Sequence, residues 1–369
     1  MIKRFENFSP DGKVEVLYYY GFDWDDNILY MPTVIHMEKK DGDNWIPVDV
    51  STKEFAEIRG DKENWRMFNN NPEEAFCEFR DQTMYGLKRG DNAFLEDLKN
   101  AISQRKFAPA WNDFMECLSK GALFAIITAR GHESKPMRTG VEWIIDNILT
   151  EEQLFSLYNN CLRFAYLFGD DEQFPRILKG VPSQNDLIKV YLDRCDFVGV
   201  SAPSRGGSPS NPEKAKEDVF LEFCGKINSF VDELNQIYAH HGTQWVAKMG
   251  FSDDDVKNKE HVEHVIDNLH KEKFPNIIQF TVKGTKNPDD IQKSVRVMTE
   301  TSHQTPGMES SVLKFTQFGN MTGQLNPQGP IDRQDDFANQ MRRQTKYLTK
   351  TSKEILGNKT KKKKKKSSK

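Results

Sequence analysis

Four short apolar runs, each ending abruptly in polar residues, constrain the fold of this chain more than any other feature. They are "KVEVLYYYGF", "GALFAIITARG", "CDFVGVSAPS" and "TQWVAKMGFSDDD". Runs of this length and apolar density suit buried strands. Segments with helical periodicity precede or separate them: "APAWNDFMECLSKG" before the second run, "TGVEWIIDNIL" after it, and "NPEKAKEDVFLEFCGKINSFVDELNQIYAHHG" between the third and fourth. A further helix-then-strand pattern, "KEHVEHVIDNLHKEKFPNIIQFTVKG", follows and completes the series. Strands alternating with helices predict an α/β fold with a doubly wound, Rossmann-like parallel sheet. Ligands bind such sheets outside the carboxyl ends of the strands, where the strand order reverses. The polar strand ends are therefore expected to converge on one crevice.

Two stretches interrupt the alternation. Residues 31–105 are charged and carry scattered aromatics, including Trp45, Trp65, Phe68, Phe76 and Tyr85, and read as a subdomain inserted after the first strand. Residues from about Thr150 to Arg194 read as a smaller helical and loop-like insertion. The core is then expected over 1–30 and 106–284. Beyond Gly284 the sequence turns to Gln, Asn, Thr, Ser and Pro, so 285–369 reads as a polar extension without a core of its own. Within it "ESSVLKFTQFGNMTGQL" has enough apolar residues to dock on a surface, and "DDFANQMRRQTKYLTKTSKEIL" suits a helix.

The net charge of −3 conceals a split, because the last nine residues, "KKKKKKSSK", hold seven lysines and leave the remainder near −10. An acidic body argues against a nucleic-acid groove as its main feature, although the basic tail offers a contact for nucleic acid or another acidic surface. The five cysteines are scattered, odd in number and without CxxC spacing, which fits a reducing, cytoplasmic setting. No uncharged apolar run approaches the roughly 18 residues of a membrane span. The opening "MIKRFENFSPDGK" lacks the apolar centre of a signal peptide.

The chemistry concentrates at the strand ends. "DWDDN" places Asp23, Asp25 and Asp26 behind the first strand, and Asp253, Asp254 and Asp255 follow the fourth. Carboxylates crowded together and stripped of water rise in pKa unless a cation or hydrogen-bond donors compensate. Such a cluster suits a hard divalent ion, for which Asp23 with Asp253 or Asp254 from facing strand ends can supply oxygens. A carboxylate can approach a phosphate dianion only when a cation offsets the repulsion, so the same cluster suits phosphoryl transfer.

"DWDDN", "FAIITARG" and "GFSDDD", in this order, resemble three signatures of the haloacid dehalogenase-like superfamily, with the resemblance extending over about Val14 to Gly284. It implies a Mg²⁺-dependent phosphatase on that family's core, with the insertions as caps. Asp23 would be the nucleophile that forms an aspartyl-phosphate, and Asp25 the general acid and base. An aspartate at position 25 is the phosphatase pattern within the family. Thr128 would donate a hydrogen bond to the phosphoryl group. Asp23, Asp25, Asp253 and Asp254 would bind the metal, while Arg130 and Asn27 would contact substrate. The family takes a lysine from the start of the helix before its fourth strand, where Lys214 and Lys216 both fit and Lys214 is favoured.

Other features carry less. "SRGGSPSNP" (204–212) lacks the Gly-Lys-Ser/Thr ending of a P-loop and reads as a loop feeding the following helix. His261 and His264 share a helical spacing without a third zinc ligand nearby. The expected substrate is a phosphorylated small molecule, a nucleotide or a nucleic-acid phosphate end. The alternative is a non-catalytic structural or binding protein on the same scaffold, docked to a larger assembly, a viral one included, through its extension.

Overall fold

The computed structural model describes residues 14–81, 93–167, 184–207, 209, 211–237, 244–287, 289 and 291–298, all within the unit Met1–Val312. The two segments of the extension expected to dock or form a helix, and the lysine tail, lie outside the described residues. In chain order the elements are β1 (Val14–Phe22), β2 (Ile35–Asp41), β3 (Asn44–Val50), α1 (Thr52–Ile58), β4 (Trp65–Met67), α2 (Pro72–Ala75), α3 (Ala93–Ser103) and α4 (Trp111–Ser119). There follow β5 (Phe124–Thr128), α5 (Ser134–Asn147), α6 (Glu151–Leu167), α7 (Gln184–Arg194), β6 (Asp196–Gly199), α8 (Pro212–Ile237), β7 (Gln244–Asp253), α9 (Val256–Asp267), β8 (Ile277–Gly284) and β9 (Gln292–Val297).

The main sheet runs β6-β5-β1-β7-β8-β9. All its strands are parallel except β9, which pairs antiparallel with β8. The chain leaves β1 outward through β5 to β6, then returns to the opposite side of β1 for β7 and β8. Strand order thus reverses beside β1, the position at which open α/β sheets bind ligands.

Side chains on a strand alternate between faces, and each face of this sheet is covered by aromatic rings. Gly21, Phe251 and Phe280 face α8, where Phe220 packs on Phe251 and Phe280 with ring centroids 5.3 and 6.3 Å away. A Cβ on Gly21 would come within 3.0 Å of the Phe251 ring, so the glycine admits that packing. Phe22 and Phe124 face the other way, and Phe114 of α4 lies edge-on to both at 5.6 Å. Fully burying one such ring stabilises the fold by about 1.5–3 kcal/mol. This two-sided burial is why the strands read as continuous apolar runs.

The inserted segment builds its own three-stranded sheet, β3-β2-β4. β2 and β3 form a hairpin across Gly42 and Asp43, with Gly42 at φ +62°, as a type II′ turn asks of its first central residue. Ile35, Met37, Val50, Ala75 and Phe79 form a separate buried cluster beneath it. α1 starts with a reciprocal cap, in which Ser51 Oγ accepts from Glu54 N and Glu54 accepts from Ser51 N.

Two expected boundaries differ from the structure. α3 lies in the segment read as insert, yet it packs on α5, and its Phe94 lies 5.2 Å from Trp24 at the end of β1. Its apolar face is drawn to the main sheet. The sheet also continues past Gly284, because β9 adds an edge strand where only a polar extension was expected. All five cysteines are buried free thiols. Among the described residues no helix is long and apolar enough to cross a membrane.

Candidate functional site

Strand register brings the acidic residues together. Phe22 at the end of β1 pairs with Ser252 of β7, and Asp23 N donates to Ser252 O at 2.9 Å. Asp23 and Asp253 therefore emerge side by side, on the face that carries Gly21 and Phe251 and is covered by α8. From the start of α8, Lys216 lays its ammonium between them, 2.9 Å from Asp23 Oδ1 and 2.9 Å from Asp253 Oδ2. Asp253 is fully buried, and its Oδ1 accepts from Asp255 N at 2.9 Å and Asn258 Nδ2 at 3.1 Å. Carboxylate oxygens of Asp23, Asp253 and Asp254 all lie within 4.8 Å of one another.

One ammonium does not balance three carboxylates. Burial pushes the Asp23 carboxyl up to about 8; Lys216 opposes that rise, and Asp253 and Asp25 add to it. Asp254 is raised well above the carboxylate range by burial and then by Asp253, Asp23 and Asp26. Burial alone would lower Lys216, but its two carboxylate partners outweigh that and hold it charged. Asp23 Oδ1 is buried and has the Lys216 ammonium as its close partner. A cluster of hard oxygens from three carboxylates, with more negative charge than one ammonium offsets, fits Mg²⁺.

The lysine favoured from sequence is not at the cluster. Lys214 is half exposed and pairs with Glu217 and Asp218 on the helix surface, whereas Lys216 is 3% exposed. Successive helical residues turn by about 100°, so two positions along the chain reverse the direction of the side chain.

Asp25 also differs from its expected place among the metal ligands. Both its oxygens face Arg130, which donates from Nε at 2.7 Å and from Nη2 at 2.6 Å. The guanidinium is itself 1% exposed, donates to Thr33 Oγ1 at 2.8 Å and lies over the rings of Phe79 and Phe94. Arg130 is thus held by Asp25 and Thr33 and shielded from solvent, with its Nη1 buried and outside these hydrogen bonds.

Asn27, expected to contact substrate, is fully buried as a cross-tie. Its Nδ2 donates to Asp23 O, Ser252 O and Ser252 Oγ at 3.0–3.2 Å, and its Oδ1 accepts from Thr285 Oγ1 at 2.8 Å. It binds the ends of β1, β7 and β8 to one another. Asn27→Ala is expected to destabilise the fold by roughly 1–3 kcal/mol, the scale of leaving such groups unpaired; urea unfolding measures it, and an unchanged midpoint would contradict this role.

Thr128 is buried at the end of β5, two residues beyond the Ile126 that pairs with Phe22, so it emerges at the same edge of the sheet. The triple aspartate divides its work. Asp253 and Asp254 join the cluster, while Asp255 caps α9 through Lys257 N and accepts from Arg59 Nη2 of the insert at 2.7 Å. Asp26 takes a left-handed conformation, φ +55°, and lies near Thr52 of the insert, which favours its charged form. Its carboxyl rises to about 6, first through burial. Thr285, Asn258 and Arg59 lie in no motif, Ser252 stands within "GFSDDD" with no role assigned to it, and sequence reasoning passed over all four. No protein-family model matches the chain, and no curated protein or solved structure matches it.

Proposed function

We propose that the protein is a Mg²⁺-dependent phosphomonoester hydrolase of the haloacid dehalogenase-like type, working through an aspartyl-phosphate on Asp23. The observation that carries this reading is the Asp23–Lys216–Asp253 arrangement, buried where the strand order reverses. A free carboxylate oxygen of Asp23 attacks phosphorus as the bond to the leaving oxygen breaks. Asp25 gives that oxygen a proton, then takes one from the water that attacks phosphorus, releasing inorganic phosphate and regenerating Asp23. A carboxylate has about four lone-pair sites, and Arg130 occupies two of Asp25's, fixing its direction. Lys216 offsets charge on the phosphoryl oxygens, and the Thr128 hydroxyl can donate to one of them. Asp23, Asp253 and Asp254 would hold Mg²⁺, which would supply the positive charge that a phosphate dianion needs to approach these acids. Substrates are phosphate esters, with nucleotides and nucleic-acid ends included.

The test is phosphate release from an aryl phosphate and a nucleotide panel with Mg²⁺ or chelator, followed by acid quenching and peptide mass analysis. Mg²⁺-dependent release with a phosphoryl group trapped on Asp23 is expected. No release from folded, Mg²⁺-binding protein would turn the reading to a non-catalytic binding role.

A further inference from the structure

The insert carries positive charge to both loops that hold the acidic cluster. At one end of α1, Thr52 and Lys53 lie close enough to Asp26 to favour its charged form. At the other, Arg59 donates to Asp255. Asp26 follows β1 and Asp255 follows β7, so this short helix, about 10 Å long by its rise per residue, bridges the two strand ends between which Asp23, Asp253 and Asp254 lie.

The two arginines at this site are held differently. Arg130 bonds Asp25 and Thr33 through Nε and Nη2 and is closed off from solvent. Arg59 makes one side-chain hydrogen bond among the described residues, and its side chain remains 30% exposed. A guanidinium offers five N–H donors in a fork that fits phosphate. The phosphoryl group being transferred would meet Lys216 and Thr128 deeper in the crevice; Arg59 stands one residue outside the cluster, beside Asp255. A cation there, held by one carboxylate at 2.7 Å and still partly open to solvent, suits a second anionic group on the same substrate.

We infer that Arg59 is a specificity residue that leaves Asp255 to bind a second phosphate or a phosphodiester of a substrate whose terminal phosphoryl group lies at Asp23. This inference rests on the phosphatase reading above.

The experiment compares kcat/KM of the full chain with Mg²⁺ for a nucleoside 5′-monophosphate, the 3′,5′-bisphosphate and a 5′-phosphorylated dinucleotide. Wild type is expected to prefer one or both of the doubly anionic substrates, the pair separating a small bisphosphate from a strand end. Arg59→Gln is expected to reduce that preference roughly 10- to 150-fold, through KM, the scale of one charge-assisted hydrogen bond. Asp255→Asn keeps a good cap for α9 while freeing Arg59, and should preserve or raise the preference. Equal loss on all substrates in Arg59→Gln would mean that the arginine only fastens the insert, and would overturn the inference, as would a wild type without preference. Absence of any wild-type turnover is a different result, which removes the phosphatase reading and this inference with it.

Discussion

Asp23→Asn is expected to abolish phosphate release while making the metal-free protein more stable. A carboxamide is not a competent nucleophile, and loss of the attacking group should lower kcat by at least about 10⁴-fold. The stability effect has the opposite sign, because the wild-type carboxyl is raised to about 8, foremost by burial. Between its ordinary value of 3.8 and about 8, the folded protein holds a proton that the unfolded chain has released. Folding stability therefore falls as pH rises through this window, and an asparagine escapes the loss. In chelator the variant should melt above wild type, with a gap absent well below pH 4 and largest, at a few kcal/mol, above pH 8. Mg²⁺ should narrow it by stabilising wild type more. Thermal unfolding across pH, with and without Mg²⁺, measures this; a variant less stable than wild type at every pH would refute the reading of Asp23 as a carboxylate held under electrostatic stress.

The second large effect separates two lysines only two residues apart. Lys216→Met leaves Asp23 and Asp253 facing each other without their cation, and breaking such a buried arrangement typically costs about 3–5 kcal/mol. Lys214→Met removes a half-exposed partner of Glu217 and Asp218 and should stay within about 0.5 kcal/mol of wild type. Helix propensity differs little between Lys and Met, so urea unfolding of the two variants compares the environments directly. Comparable small losses would show that the buried ion pairs do not hold this part of the fold.

The Lys216 result was legible in the sequence to a closer reading. Val219, Phe220 and Phe223 stand three, four and seven positions beyond it and are all buried, so the apolar stripe of α8 passes through Lys216. Lys214 lies off that stripe, one turn before the half-exposed Asp218, and faces water. The strands of the main sheet were legible because burial on both faces leaves little polar residue within them, and Val14–Phe22 ends where its apolar run ends. β9 was not, since "QKSVRV" has no buried residue and hence no apolar period to detect. The acids of the cluster could be read from their places at strand ends. The commitments of Asp25, Asn27 and Asp255 could not, because each depends on a partner set by tertiary placement: Arg130, Thr285 and Arg59 lie 105, 258 and 196 residues away.

The placement of β1 also bears on how the molecule is made. It is the first strand among the described residues but stands in the middle of the sheet, between partners that begin at Phe124 and Gln244, and the Asn27–Ser252 tie spans 225 residues. During synthesis the run Tyr18–Phe22 leaves the ribosome with both of its hydrogen-bonding edges open, and more than half of the chain must follow before the second is covered. A nascent or unfolding molecule therefore presents this strand unpaired while its later partners are still being made. That segment, flanked by strands on both sides once folded, is where intermolecular strand pairing would begin, and where a chaperone that shields extended apolar chain would act.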